Sequence, residues 1–111
     1  MSGAWSPQRE IEIVAGTPPG GGLDRAARAL VKALEARRML DVPISVNNVA
    51  GDGGRKAWAY LAQRPGDPHV VSISSANITT DHLLGKSTFD HGDFTPLAIL
   101  YTEYIAFVAR E

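Results

Sequence analysis

Apolar and polar positions change period several times along the chain. Glu10-Ile11-Glu12-Ile13 alternates and Val14-Ala15 stays apolar, as a strand entering a core does. Gly16 to Gly22 then interrupt it with two prolines and four glycines, so a strand runs into a loop. From Leu23 onward apolar residues recur at Leu23, Ala26, Ala27, Leu30, Val31 and Leu34, with Arg25, Arg28, Lys32 and Glu35 opposite them. This spacing predicts an amphipathic helix.

The pattern then repeats. Val42 to Asn47 reads as a second strand with Pro43 near its start, where a missing N–H is tolerable. Ala50-Gly51-Asp52-Gly53-Gly54 is a second glycine loop, and Lys56 to Gln63 predicts a helix whose Ala57, Trp58, Leu61 and Ala62 share a face. At that spacing Trp58 reads as a core residue. Arg64-Pro65-Gly66-Asp67-Pro68 ends the helix in a turn. Val70 to Ser74 is a short apolar run of the central-strand kind, followed by the polar loop Ser75-Ala76-Asn77-Ile78-Thr79-Thr80. Leu97 to Tyr101 and Tyr104 to Val108 are two further strand-like runs. No helix follows to cover the last of them, so the fold reads as unfinished.

Strands alternating with helices predict right-handed crossovers and a parallel sheet in three layers. The loops after the first three strands then gather outside the carboxyl ends of the strands, where open sheets of this type bind ligands. At 111 residues, 44% hydrophobic and 21% charged, the chain has the composition of one globular unit. Eleven basic and twelve acidic residues, mixed along the sequence, offer no broad basic face to nucleic acid or anionic lipid. With no cysteine there is no disulfide, thiolate zinc site or cysteine nucleophile.

Gly20-Gly21-Gly22 at a helix start lets the backbone approach a ligand, and the first N–H groups with the helix dipole favour an anion. Gly51 to Gly54 sets a second helix start in the same crevice. Two such termini with few positive side chains nearby suit a carboxylate held by backbone groups. The alternative for each loop is a plain turn. Asp24 reads first as a first-turn acid that orders the loop, and Arg28 as a solvated or salt-bridging residue. Ser74, Ser75 and Asn77 either bind a ligand or close a strand end.

Enzyme chemistry finds little support. Gly16 to Gly22 lacks the Gly-Lys-Ser/Thr ending of a P-loop, and Ala27 and Arg28 stand where a dinucleotide fingerprint needs late glycines. There is no Gly-x-Ser-x-Gly nucleophile elbow. Asp81-His82 and Asp90-His91-x-Asp93 read as surface turns, because they lack the i, i+4 ligand spacing of a helical metal site. No catalytic residue, metal ligand or cofactor is assigned.

The order of motifs resembles a known family. Ile13 to Arg28, with Thr17-Pro18-Pro19-Gly20-Gly21-Gly22-Leu23-Asp24, is similar to the Pro-Pro-Gly-Gly…Thr-Asp…Ala-Arg signature of Bug-type receptors, the substrate-binding proteins of tripartite tricarboxylate transporters. Val46-Asn47-Asn48-Val49-Ala50-Gly51-Asp52-Gly53-Gly54 resembles their second signature, usually Glu-Asn-Arg-Pro-Gly-Ala-Gly-Gly. The Pro-Gly-Asp-Pro turn and the Ser-Ser-Ala-Asn loop fall where that family has its third pocket segment. Leu23, Asn48-Val49 and Ala50 depart from the usual Thr, Asn-Arg and Pro.

The resemblance implies a periplasmic-binding-protein-like α/β fold, of which residues 1–111 are the first part of domain 1, with the second domain absent. It implies a non-enzymatic periplasmic receptor that captures a small organic carboxylate and passes it to membrane transporter subunits. By that resemblance the ligand-binding residues are Thr17, Pro18, Pro19, Gly20, Gly21, Gly22, Asp24, Val49, Gly51, Asp52, Gly53, Gly54, Ser75, Ala76 and Asn77. Self-association of the short chain is expected through its last apolar strand. A small nucleotide- or phosphate-binding enzyme domain and an interaction module without a pocket are the other readings.

Overall fold

The computed structural model describes residues 5–102, 104 and 106–111. Three strands, β1 (Ile11–Ala15), β2 (Ile44–Asn48) and β3 (Val70–Ile73), form a parallel sheet in the order β2-β1-β3. β1 pairs with β2 from Ile11 opposite Ile44 to Ala15 opposite Asn48, and with β3 from Glu12 opposite Val70 to Ala15 opposite Ile73. β1 is therefore central. It carries the most apolar of the three segments and is the most buried of them.

Helix α1 (Gly22–Ala36) connects β1 to β2, and α2 (Arg55–Ala62) connects β2 to β3. The first crossover runs from β1 out to β2 and the second runs back past β1 to β3, so right-handed connections in opposite directions carry α1 and α2 to opposite faces of the sheet. Core packing follows that division. Ile11, Ile13 and Ala15 share a face of β1 with Ala27, Leu23 and Leu30 of α1, while Val14 packs with Ala57 and Leu61 of α2. Period-two alternation in one five-residue strand thus serves two layers. Ile13 and Val14 are almost fully buried, and each contributes roughly 1.5–3 kcal/mol of apolar burial.

Glu12 lies on the α2 side of the same strand and is half-buried. Its Oε2 accepts from the Tyr60 hydroxyl at 2.6 Å and from Asn47 Nδ2 at 2.6 Å, which satisfies a charge that would otherwise be costly there. The Glu12 contact also raises the Tyr60 hydroxyl above its ordinary pKa, with desolvation adding to it. At the far end of the sheet Arg9 donates to both carboxylate oxygens of Asp67 at 2.7 and 2.8 Å. The Ile11 N–H donates to the Pro43 carbonyl at 3.0 Å, so Pro43 sits just ahead of its strand.

Three regions differ from the sequence-based expectation. The segment read as a polar loop forms helix α3 (Asn77–Leu83). Its Asn, Thr and Asp residues are weak helix formers, but two of its side chains are anchored: Asn77 Nδ2 donates to the Gly53 carbonyl at 2.7 Å, and Asp81 pairs with Arg55 of α2 at 3.5 Å. Leu97–Tyr101, expected as a strand, has no regular structure. An apolar run becomes a strand only by laddering on a neighbour, and Leu100 and Tyr101 instead lie along α1 beside Gly22, Arg25, Ala26, Ala29 and Leu30. Of the expected strand at 104–108, Ile105 is outside the described residues, and Tyr104, Ala106, Phe107 and Val108 are not in a strand.

Candidate functional site

All three strands run in parallel, so their carboxyl ends reach one edge of the sheet. The loop after β1 is held there by Asp24. Only 2% exposed, its carboxylate accepts from the Gly20 N–H at 2.8 Å, from Arg28 Nε at 2.9 Å and from Asn48 Nδ2 at 2.9 Å. Asn48 also donates to the Thr17 carbonyl at 3.0 Å, and Thr17 Oγ1 accepts from the Asp24 N–H at 3.2 Å. The Asp24 carboxyl is held below the usual carboxylate range by the Gly20 N–H first, then by Asn48 and Arg28, against an opposing desolvation. This closed network folds the Pro-Pro-Gly loop back onto the end of β2.

The second loop turns through residues with positive φ: Gly51, Asp52, Gly53 and Gly54 lie at 129°, 54°, 66° and 102°. At Gly54, a buried residue at the start of α2, glycine is required by the φ of 102°, and an added Cβ would touch the Trp58 ring at 3.4 Å. The N-cap residues of α1 and α2 are glycines without a capping side chain; the Asp24 N–H is taken by Thr17 and the Arg55 N–H by the Asp52 carbonyl, and the two N–H groups ahead of Asp24 in α1, at Gly22 and Leu23, lie at the cleft. The third segment joins the second. Ser75 Oγ donates to Asn77 Oδ1 at 2.5 Å, and Asn77 bonds the Gly53 carbonyl.

Between these segments lies an open cleft of about 430 Å³. Of the residues expected to bind, Thr17, Pro18, Gly22, Gly51, Gly53, Gly54, Ser75 and Asn77 line it. Asp24 lies behind the wall with its oxygens engaged, and Pro19, Gly20, Gly21, Val49, Asp52 and Ala76 belong to the same loops without lining the cleft. The structure adds Gly16, Leu23, Ala57, Trp58, Ile73 and Tyr101 to the wall, together with Ser74.

Some of these additions had a readable signal. Gly16 ends a strand, where a glycine often marks close approach of another backbone, and a Cβ on it would come within 3.2 Å of Gly54 Cα and Ala57 Cβ. Trp58 is both core and wall: it is 4% exposed, and one edge of its ring lies against Gly54. Tyr101 arrives from a distant segment that no local pattern places there. Asn48, read in sequence only as part of the second signature and not as a site residue, couples the first loop to β2.

The histidine-bearing pairs serve local geometry. Asp81 pairs with Arg55. Asp90 accepts from the His91 N–H at 2.8 Å, and Asp93 accepts from the Asp90 N–H at 2.9 Å, closing a single 3-10 turn at His91–Asp93.

Comparison with known proteins agrees with this architecture. No family-level sequence profile matches the chain. It is 32% identical over 98 residues to the UPF0065 protein encoded in the tcbD-tcbE intergenic region of Pseudomonas sp. strain P51, across 86% of this chain and 29% of that protein. It is 34% identical over 71 residues to the protein BugT of Bordetella pertussis, across 64% of this chain and 21% of that one. Among solved structures it resembles a TctC solute-binding protein from Polaromonas, with a TM-score of 0.74 and 29% identity over 81% of this chain and 31% of that chain. The chain thus spans less than a third of the length of the relatives it matches. With a parallel sheet, both glycine loops at its carboxyl edge and these similarities in sequence and structure, the chain belongs to the Bug-type (TctC) family of solute-binding proteins, of which it represents a part.

Proposed function

We propose that the cleft captures a small organic carboxylate and that these residues form one wall of a two-domain receptor, which delivers its ligand to a tripartite transporter from the periplasm. The observation that carries this reading is the meeting of the start of α1, at Gly22 and Leu23, with the Gly51–Gly54 turn ahead of α2 in one cleft whose lining, among the described residues, has no charged side chain. A carboxylate entering it meets backbone N–H groups, the dipoles of α1 and α2, and the Thr17, Ser75 and Asn77 side chains. On this reading the ligand is bound and released unchanged. The cleft is open on one side, and closure by a second domain would supply the burial that a tight small-molecule site needs.

The relatives are more than three times longer than the part matched here, which supports the two-domain organisation. Thermal melting with a panel of small carboxylates and nucleotides tests the reading. Carboxylates raise the melting temperature by mass action and nucleotides leave it unchanged. A nucleotide-dependent rise without any carboxylate effect would replace this reading with that of a phosphate-binding domain.

A further inference from the structure

Helix α2 opens on two cations. Arg55 and Lys56 occupy its first turn, which holds no acidic residue, although the dipole of a helix disfavours positive charge at its N-terminal end. Arg55 is offset by Asp81 of α3 at 3.5 Å. Lys56 has no ion-pair partner among the described residues, Asp52 of the preceding turn included. Its stem bends back over the second glycine loop: a Cβ built on Gly51 would stand 2.7 Å from Lys56 Cδ, 3.1 Å from Cε and 3.2 Å from Nζ. The lysine thus takes the space that a side chain on Gly51 would fill. Gly51 lines the cleft and Lys56 is exposed, so the ammonium stands at the mouth. Of the other cations near these loops, Arg28 is bound to Asp24, and Arg25 borders the neighbouring surface pocket with Ala29, Leu30 and Leu100.

Resting on the carboxylate-receptor reading above, we propose that Lys56 supplies the counter-charge to the bound anion, reaching across the Gly51 turn from the first turn of α2. The lining itself is uncharged among the described residues, so without Lys56 a full negative charge meets only neutral donors. Contacts to an ammonium are charge-assisted, and these are the stronger ones. An ammonium at an open mouth keeps much of its hydration, so little desolvation opposes the attraction. Its flexible stem lets it follow the anion. The anion in turn offsets a positive charge that α2 otherwise carries uncompensated at its start.

The test is an amide-shift titration of the 111-residue chain with acetate and with succinate, read at Gly22, Gly51 and Gly53, a method that registers weak as well as tight binding. At about 10 mM salt Lys56→Gln should weaken both about three- to tenfold, and the difference should shrink at about 0.5 M salt, where screening acts over a few ångströms. Lys56→Arg keeps the charge and should keep most of the affinity. Lys32→Gln makes the same change in net charge on α1, ten residues and roughly 15 Å along the helix from Gly22, and should leave the affinity unchanged. Lys56→Gln should melt at or slightly above the wild type, because it removes a cation from a helix start. Equal affinity of Lys56→Gln and wild type at low salt, or a loss as large in Lys56→Arg or Lys32→Gln, would overturn the assignment to Lys56 while leaving a carboxylate receptor in place. Failure of the wild type to bind either carboxylate would remove both readings.

Discussion

A methyl group at Gly16 should loosen the whole binding edge. Gly16 follows β1 and faces the second loop, and a Cβ there would stand 3.2 Å from Gly54 Cα and 3.2 Å from Ala57 Cβ. Ordinary carbon contacts begin near 3.5 Å, so about 0.3 Å or more must be found by moving backbone, since neither neighbour has a flexible side chain to swing aside. Gly54 itself is fixed by a φ of 102° and by the Trp58 ring. Overpacking of this kind costs about 1–3 kcal/mol, and a single methyl belongs in the lower half of that range. For a chain of this size the loss corresponds to a fall in melting temperature of about 5–10 °C. Gly22→Ala is the matched control: it adds the same methyl at the first residue of α1, where nothing lies within 4 Å. It should be neutral or stabilising by about 0.4–1 kcal/mol. Thermal melts of the two variants beside the wild type decide the matter. If Gly16→Ala melts with the wild type, the first and second loops are not packed as described, and the cleft they define is wrong.

Gly53→Val should weaken ligand binding strongly while the fold persists, because φ is 66° there and a Cβ would project into open space beside the cleft; an unchanged affinity would take that loop out of the site. Asp24→Asn removes the charge and turns one of the two acceptor oxygens into an NH2 donor, so Gly20, Asn48 and Arg28 can no longer all be satisfied and the first loop should be destabilised. Because the folded Asp24 carboxyl sits below its ordinary value of about 3.9, it contributes stability that is present above that value and is lost as the pH falls through its lower folded value. Urea midpoints of variant and wild type should therefore differ most near neutral pH and converge in acid; a pH-independent gap would mean that the charge is not what orders the loop. Leu97, Ile99, Tyr104, Phe107 and Val108 are each at least three-quarters exposed, so sedimentation velocity should show concentration-dependent association of the chain, reduced by Phe107→Glu. A strictly monomeric chain at all concentrations would contradict that expectation.

The strands, the two long helices and the glycine loops between them were legible in sequence because each rests on local information. Alternation marked β1, a wide apolar stripe marked α1, and runs of glycine and proline marked the turns. Boundaries moved by one or two residues, as in β2, which starts at Ile44 rather than Val42, because an end is fixed by which neighbour supplies the next hydrogen bond. The convergence of three loops also followed from sequence, since alternating strands and helices leave a parallel sheet few arrangements.

Tertiary structure alone decided what each polar residue is for. Asp24 has the same local pattern whether it caps a helix or faces a ligand; only the approach of Asn48 and the fold of Gly20 onto it turn its carboxylate inward. Glu12 reads as an outward residue of an alternating strand, yet α2 covers that face and brings Tyr60 to it. Helix α3 was hidden because its own propensity is weak and its anchors, Gly53 and Arg55, lie more than twenty residues earlier in the chain. Leu97–Tyr101 shows the converse: its apolar sequence is suited to a strand, but strand structure needs a partner backbone, and Leu100 and Tyr101 instead border a surface pocket with residues of α1. Local pattern fixes the elements, because period and turn chemistry act within a few residues. Contacts across the sheet edge fix the site, because the groups that hold a loop in place come from elsewhere in the chain.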